Sequence, residues 1–267
     1  MNIHFEDKKL YKDLKDSTVA RIKVGSHMYS LNDDNSDEDY LNIYIDNTNS
    51  FMWEHHQLQF KEDGVDENFS TLQSFIRNAM TGDATINFEV LFSDELLNSP
   101  LSWLANYKES FINYNIIKSY LGLAKRDLKF YLKDTGKLRN HTKETDKKLS
   151  HFVRGIIFAK MLIDGKFVVN MKNTSTFKDF VPDLELLSNI KLGEHGMHSD
   201  VVEYFEKEMN TIRDELNRKL EAGEIVRFMK PKGMRALDIK AKEMIGNSIN
   251  IDYGDIFYEA LEKGVQY

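Results

Sequence analysis

The sequence predicts an α+β protein in which a small part of mixed strands and helices precedes a helical part. Over the first ~100 residues, apolar and polar residues alternate in several short segments, which is the period of a half-buried strand. From about residue 70 onward, apolar residues recur every three to four positions, which is the period of an amphipathic helix. With 267 residues and 41% apolar content, the chain can bury a core in one or two domains.

Strands are expected at four places before the helices begin. The segments 19–24 and 40–45 alternate clearly, and 58–60 and the residues around Val65 are shorter candidates. Residues 32–38 are rich in Asn, Asp and Ser, so they predict a loop ahead of the second strand.

Helical spacing begins in STLQSFIRNAM at 70–80, with Ser70 or Thr71 as the N-cap and Gly82 beyond the end. Asp164-Gly165 is a further helix-ending signal. Helices are also predicted over 86–97, 102–133, 146–163, 183–191 and 198–222. The shift in composition near residue 100 divides the chain into an α/β domain at 1–100, a helical domain at 101–223 and a C-terminal extension at 224–267 with a weak fold signal.

The composition excludes several classes of protein. The absence of cysteine rules out a disulfide framework, a cysteine zinc site, an iron–sulfur cluster and a thiol nucleophile. No apolar run approaches the ~20 residues of a spanning helix, and the charged N-terminus lacks the apolar segment of a signal peptide. We therefore expect a cytoplasmic protein without a membrane partner. The net charge of −7 argues against a chromatin-type binder but leaves a local basic surface open.

The segment from Gly25 to Ile43 carries the clearest chemistry. Asp37 and Asp39 lie two residues apart at the start of a predicted strand, so both carboxylates project from one face. Such a pair suits hard divalent cations, which prefer oxygen ligands and keep positions for waters and phosphates. Gly25-Ser26 follows an apolar strand and could open a helix, where backbone N–H groups can approach a phosphate. An isolated pair of this kind is more often part of a solvated acidic loop, but the Gly-Ser ahead and the strand behind favour a site.

This order of residues resembles a known signature. Gly25-Ser26, a spacer of about ten residues and Ser36-Asp37-x-Asp39 before an apolar strand are similar to the motif of the DNA polymerase β nucleotidyltransferase superfamily. Within that superfamily, the chain resembles the predicted nucleotidyltransferases associated with RNA ligases and RNA repair. The stretches that carry this narrower resemblance are 64–92, 112–130 and 147–169, and the whole resemblance covers roughly residues 20–200.

The resemblance implies a polymerase-β-like domain that moves a nucleoside monophosphate from an NTP to an acceptor hydroxyl and releases pyrophosphate. It implies that Asp37 and Asp39 hold two Mg²⁺ ions, with Mn²⁺ as an alternative, and that Gly25, Ser26 and Ser36 contact the nucleotide. RNA is the expected acceptor, and an RNA ligase is an expected functional partner. Nucleotidylation of a protein or small molecule, or nucleotide binding without catalysis, are the alternative functions.

The superfamily also uses a third carboxylate on a neighbouring strand. Asp66 fits that position and would serve as a metal ligand and as general base on the incoming hydroxyl. Asp63 and Glu67 remain alternatives.

His151 and Arg154 lie three residues apart in a segment that resembles the family's His-x-x-Arg helix. The resemblance implies a phosphate clamp, since arginine matches phosphate oxygens in bidentate fashion. The alternative is a pair on the helix surface that closes against the α/β part.

Two positions depart from the family. Ser30 stands where the family usually has Gly, and Gly82-Asp83-Ala84-Thr85 replaces a Gly-Asn-Pro turn. Serine tolerates a positive φ less well than glycine does, so the loop conformation at Ser30 is in question. Neither departure changes the predicted metal carboxylates.

Basic residues are concentrated in two stretches. Residues 118–148 contain ten Lys and Arg against four Asp and Glu, and residues 227–242 contain six against one. Four lysines of the first stretch share one helical face: Lys118, Lys125, Lys129 and Lys133. Such stripes are usually solvated faces, but beside a nucleotide-transfer site they could follow a phosphate backbone.

Overall fold

A computed structural model describes the following residues: 5–32, 36–45, 58–62, 64–132, 142–171, 180, 187, 189–190, 199–229, 237, 239–241 and 243. The predicted helix at 183–191 and the extension at 224–267 lie largely outside them, as does Lys133. The chain divides into two compact units. The sheet unit is drawn from Met1–Gly25, Asp37–Phe111 and Phe228–Tyr267, and the helical unit from Ser26–Ser36 and Ile112–Arg227.

The sheet unit contains a four-stranded mixed sheet with the order β1-β2-β4-β3. The strands are β1 (Thr18–Val24), β2 (Glu38–Tyr44), β3 (Leu58–Glu62) and β4 (Val65–Thr71). β1 pairs with β2, and β3 with β4, in antiparallel fashion, whereas β2 and β4 run parallel. Each of the four segments predicted as strands is a strand, and β4 is longer than its sequence signal.

Among the described residues of the sheet unit, five helical segments accompany the sheet. They are α1 (Phe5–Asp16), α2 (Leu72–Thr81), α3 (Thr85–Val90), α4 (Asp94–Leu97) and a 3-10 helix (Ser102–Phe111). Thr71 caps α2 by accepting a hydrogen bond from the Ser74 amide, and Gly82 ends it at a φ of 79°. The single helix expected at 86–97 is wrong: Ser93 accepts a hydrogen bond from the Leu96 amide and so starts a second helix.

Both faces of the sheet are covered. Alternate residues of the first two strands are buried, as the alternation predicts: Ala20, Ile22, Leu41 and Ile43. On the other face, the Tyr11 ring of α1 lies 5.0 Å from the Phe60 ring and 5.8 Å from the Phe69 ring. This aromatic cluster attaches α1 to β3 and β4.

Where the structure describes the helical unit, it contains three long helices: α5 (Tyr114–Tyr131), α6 (Lys143–Ile163) and α7 (Ser199–Glu221). The prediction of one helix over 102–133 is wrong, because Asn113 is extended and caps α5 by accepting a hydrogen bond from the Ile116 amide. α5 packs closely on α6 at Gly155, where a Cβ atom would lie 3.3 Å from the Ala124 Cβ. Within the described residues, no helix is both long enough and apolar enough to cross a membrane.

Candidate active site

The parallel pairing of β2 and β4 places two of the predicted carboxylates next to each other. Asp39 and Asp66 are direct partners in the register, so their side chains leave adjacent strands on the same face. Asp37 lies one residue before β2 and two residues from Asp39, at an exposed position. Asp37 directly precedes β2, and Asp39 and Asp66 are each the second residue of their strand, so all three positions lie at the same end of the sheet.

The carboxylate of Asp66 is held by the edge strand β3. The Gln59 Nε2 atom donates hydrogen bonds to both carboxylate oxygens, at 2.9 and 2.7 Å. The Lys61 Nζ atom lies 4.0 Å from the Asp66 Oδ2 atom. Sequence reasoning missed Gln59 and Lys61, because the register of β3 against β4 is needed to bring alternate β3 side chains to Asp66.

Glu67, one alternative third acid, faces the opposite side of the sheet. Its carboxylate is 2.5 Å from the Tyr11 hydroxyl, 3.0 Å from the Lys15 Nζ atom and 2.9 Å from the Arg21 Nη2 atom. Burial alone would raise the pKa of Glu67, but hydrogen bonds from these three groups hold that pKa below its ordinary value. Glu67 is thus committed to a structural network, while Asp63 lies outside the described residues.

Gly25 leaves room for the Asp39 carboxylate. Val24 pairs with Asp39 in the β1–β2 register, which brings the next residue, Gly25, over that side chain. A Cβ atom on Gly25 would lie 2.5 Å from the Asp39 Oδ2 atom, and its φ of +66° also favours glycine. The Asp39 carboxylate therefore occupies the space that a side chain at position 25 would need.

The segment after Gly25 is a series of turns. The Leu31 amide donates to the Ser26 carbonyl at 2.9 Å, and the Ser30 amide to the His27 carbonyl at 3.1 Å. The helix that Gly25-Ser26 could open is thus absent at residues 25–30, and the helix-dipole argument does not apply here. Ser30 adopts a φ of 58°, in the left-handed region that favours glycine. Ser36, directly before Asp37, is half-buried.

His151 and Arg154 lie on α6 in the helical unit. The Arg154 guanidinium stacks 4.1 Å from the centre of the Tyr29 ring, and the His151 Nδ1 atom lies 3.9 Å from the buried Asp127 carboxylate. Burial first, and then the charges of four neighbouring cations, lower the pKa of His151 to about 3; the cations are Arg154, Lys147, Lys148 and Arg126. His151 is therefore uncharged at neutral pH. The positive charge in this part of α6 comes from Arg154 and the neighbouring lysines.

The acids at the end of the sheet fit a divalent cation in donor type. Asp37, Asp39 and Asp66 supply only oxygen atoms, which Mg²⁺ and Mn²⁺ prefer. Asp66, however, is turned toward Gln59, and among the described residues no three His, Asp or Glu side chains are grouped closely enough to hold a metal ion. The donor atoms suit such an ion, and in this structure the Asp66 carboxylate is hydrogen bonded by Gln59.

The mixed sheet, the paired acids on its parallel strands and the Gly-Ser turn together define a polymerase-β-like nucleotidyltransferase fold. The family model described as the RNA repair pathway DNA polymerase beta family matches residues 7–238. The chain therefore belongs to that family.

Among solved structures, the chain is similar to a nucleotidyltransferase-like protein from Exiguobacterium sibiricum 255-15, at 13% identity. That similarity covers 79% of this chain and 73% of the other, with a TM-score of 0.28. No curated protein matches the chain.

Proposed function

We propose that the protein transfers a nucleoside monophosphate from an NTP to a hydroxyl of RNA and releases pyrophosphate. The register that pairs Asp39 with Asp66, two residues after Asp37, is the observation that carries this proposal. The membership of the RNA repair pathway family supports nucleotidyl transfer and an RNA acceptor.

Asp37 and Asp39 would hold Mg²⁺, with Asp66 as a further ligand. The bound ion supplies positive charge that offsets the triphosphate and favours loss of the acceptor's proton. Backbone N–H groups of the Gly25-Ser26 turn and Ser36 would contact the phosphates, and Arg154 would add a bidentate contact. His151, being neutral, would donate at most one hydrogen bond from its ring.

Asp66 would accept the proton of the acceptor hydroxyl. The freed oxygen forms a bond to the α-phosphorus, and the bond from that phosphorus to its bridging oxygen breaks. Pyrophosphate leaves with the electron pair. Gln59 and Lys61 orient the Asp66 carboxylate before the acceptor arrives.

The test uses NTPs labelled at the α-phosphate, Mg²⁺ and RNA with a free terminal hydroxyl. The wild type should label RNA and release one pyrophosphate for each nucleotide added. Asp39→Asn should lower the rate by about 10³-fold, because charge stabilisation dominates phosphoryl transfer. Asp13→Asn, an exposed acid on α1, is the matched control and should keep the wild-type rate. A folded Asp39→Asn protein with full turnover would contradict the proposal.

The same assay separates the alternatives. Label on a protein or small molecule in a lysate, with none on RNA, would retain the chemistry but replace the acceptor. NTP binding without pyrophosphate release from any acceptor would contradict catalysis altogether. An RNA ligase that joins the modified RNA ends remains the expected functional partner, which co-purification or a coupled ligation assay would test.

A further inference from the structure

Charge is segregated among the helices of the helical unit. α5 and α6 together contain nine basic residues against three acidic ones, whereas α7 contains four basic residues against seven acidic ones. The whole chain is acidic, with a net charge of −7, so this accumulation of cations on two neighbouring helices runs against the overall composition. Like charges repel one another, and an accumulation of this kind is stabilised when a polyanion binds.

Two of these cations contact one buried carboxylate. Asp127 is 4% exposed, and its oxygens lie 3.3 Å from the Lys148 Nζ atom and 3.5 Å from an Arg126 Nη2 atom. A single negative charge is shared between two cations, while Lys147 is exposed beside them. The lowered pKa of the nearby His151 reflects burial first and then this local excess of positive charge. Asp127 therefore positions the cations without neutralising them.

The basic surface is too long for one nucleotide. Lys118, Lys125 and Lys129 are exposed along one side of α5. Lys129 lies eleven positions after Lys118, a distance of about 16 Å along a helix at ~1.5 Å per residue. A triphosphate can engage one part of such a row, but its length along α5 matches a chain of phosphates.

An aromatic ring accompanies the cations. Phe130 is half-buried, and the Lys148 Nζ atom lies 5.6 Å from the centre of its ring. Sites for single-stranded nucleic acid combine cations for the backbone with rings on which bases stack. An acidic peptide would need only the charge, so the combination favours a nucleic acid.

We propose that the α5–α6 basic face binds the phosphate backbone of a single-stranded RNA acceptor. This face consists of Lys118, Lys125, Arg126, Lys129, Lys147 and Lys148. The inference rests on the proposed function. It adds a surface that holds the RNA acceptor and that is separate from the groups proposed to contact the NTP.

The experiment measures binding of the full-length protein to a fluorescein-labelled 20-nucleotide RNA by anisotropy, without NTP or metal, across a range of salt concentrations. The double variant Lys125→Glu/Lys129→Glu should bind at least tenfold more weakly. The slope of the logarithm of the binding constant against the logarithm of the salt concentration should become shallower by about one to two. Each lost phosphate contact with a single strand lowers the magnitude of that slope by about 0.7. Lys125→Gln/Lys129→Gln, a milder change, should show a smaller loss in the same direction and guards against misfolding of the charge-reversed protein.

The matched control is Lys207→Glu/Arg213→Glu on α7, where both side chains are also exposed and the change in charge is identical. Its affinity for RNA should stay within twofold of the wild type. Equal losses from both charge-reversed pairs, or no loss from the α5 pair, would overturn the proposal. Displacement of RNA by poly-glutamate of equal charge at equal concentration would assign the face to an acidic protein instead.

Transfer is measured separately, so that the two proposals can fail independently. If the wild type binds RNA through this face but adds no nucleotide, the proposed function fails and the binding surface stands. If RNA is labelled but the α5 variant keeps the wild-type affinity and KM for RNA, the binding surface fails and the transfer activity stands.

Discussion

At the scale of single residues, the candidate site depends on small differences in space around the carboxylates. Gly25 is the clearest case, because the position that a Cβ atom would take is occupied by the Asp39 carboxylate. Gln59 acts differently, by holding both oxygens of Asp66 from the neighbouring strand. The Asp39 carboxylate thus occupies space that is open because residue 25 is glycine, whereas the Asp66 carboxylate is held by hydrogen bonds from Gln59.

Replacing Gly25 by Ala should therefore damage the site more than the fold. At a φ of +66°, alanine is less stable than glycine by about 1 kcal/mol. The new Cβ atom must also displace the Asp39 carboxylate. Gly165→Ala is the matched control, since its φ is +67° and nothing lies within 4 Å of its Cβ position. We expect similar small losses of stability in urea unfolding, but a loss of nucleotidyl transfer of at least 10²-fold for Gly25→Ala alone. Equal activity of the two variants would contradict this account of Gly25.

Ser30 shows what the sequence can and cannot reveal at this scale. The resemblance singles out the position as one where glycine is usual, and the serine there does adopt a φ of 58°. Its hydroxyl donates a hydrogen bond to the Asn170 side chain at 3.0 Å, which offsets part of the backbone strain. That partner is distant in sequence, so no local pattern could have indicated it.

At the scale of elements, β4 is fixed from both faces of the sheet. Asp66 is hydrogen bonded to β3 on one face, while Glu67 on the other is bonded to Tyr11 of α1 and Arg21 of β1. Since successive residues of a strand point to opposite faces, one strand takes part in both the candidate site and a buried ionic network. The network is well placed to keep β4 in register beside β2.

The substitution Glu67→Gln should lower stability in a way that depends on pH. The folded protein holds the pKa of Glu67 below its ordinary value of 4.5, so the ionised carboxylate stabilises the fold above that pH. This contribution is lost as the pH falls through 4.5 and below. We expect the variant to be less stable by about 2 kcal/mol at pH 7, allowing for the partial exposure of Lys15 and Arg21.

Urea unfolding of both proteins between pH 7 and pH 3 checks this prediction, and the difference between them should shrink toward pH 3. Glu38→Gln is the control, because the Glu38 side chain is 45% exposed in its ion pair with Lys23 and should matter less. A difference between wild type and Glu67→Gln that stays constant with pH would show that packing, rather than charge, is responsible.

The elements themselves were predictable where one face is clearly apolar. All four strands, α2 and the core of α6 follow from periodicity and capping residues. α1 was missed because charged residues dominate it, and it is held by contacts such as that of Tyr11 with Phe69. The helix predicted over 102–133 was interrupted at Asn113, whose extended backbone is not visible in a spacing pattern that continues on both sides.

At the scale of the whole molecule, the chain passes from the sheet unit to the helical unit inside the predicted motif. Gly25 belongs to the first unit, Ser26–Ser36 to the second, and Asp37 again to the first. The sequence pattern could identify the motif but not this division, because tertiary packing determines which core the intervening residues join. Tyr29 attaches the segment Ser26–Ser36 to the core of the helical unit. It is 4% exposed, and its ring centre lies 5.9 Å from that of Phe158 on α6.

Tyr29→Ala should accordingly destabilise the helical unit, although Tyr29 lies between two strands of the sheet unit in sequence. Removing a buried aromatic ring costs about 3–5 kcal/mol, which corresponds to a loss of at least 10²-fold in hydrogen-exchange protection. The amides of α5 and α6 should lose this protection, while those of β1 and β2 keep theirs. Tyr29→Phe retains the ring and should change little, and Phe69→Ala in the sheet core should give the reverse distribution. Hydrogen-exchange mass spectrometry can measure the protection of each of these elements separately. Equal loss of protection in both units, in either alanine variant, would contradict this prediction. It would mean that the chain unfolds as one cooperative body and that the motif does not link two separately stable units.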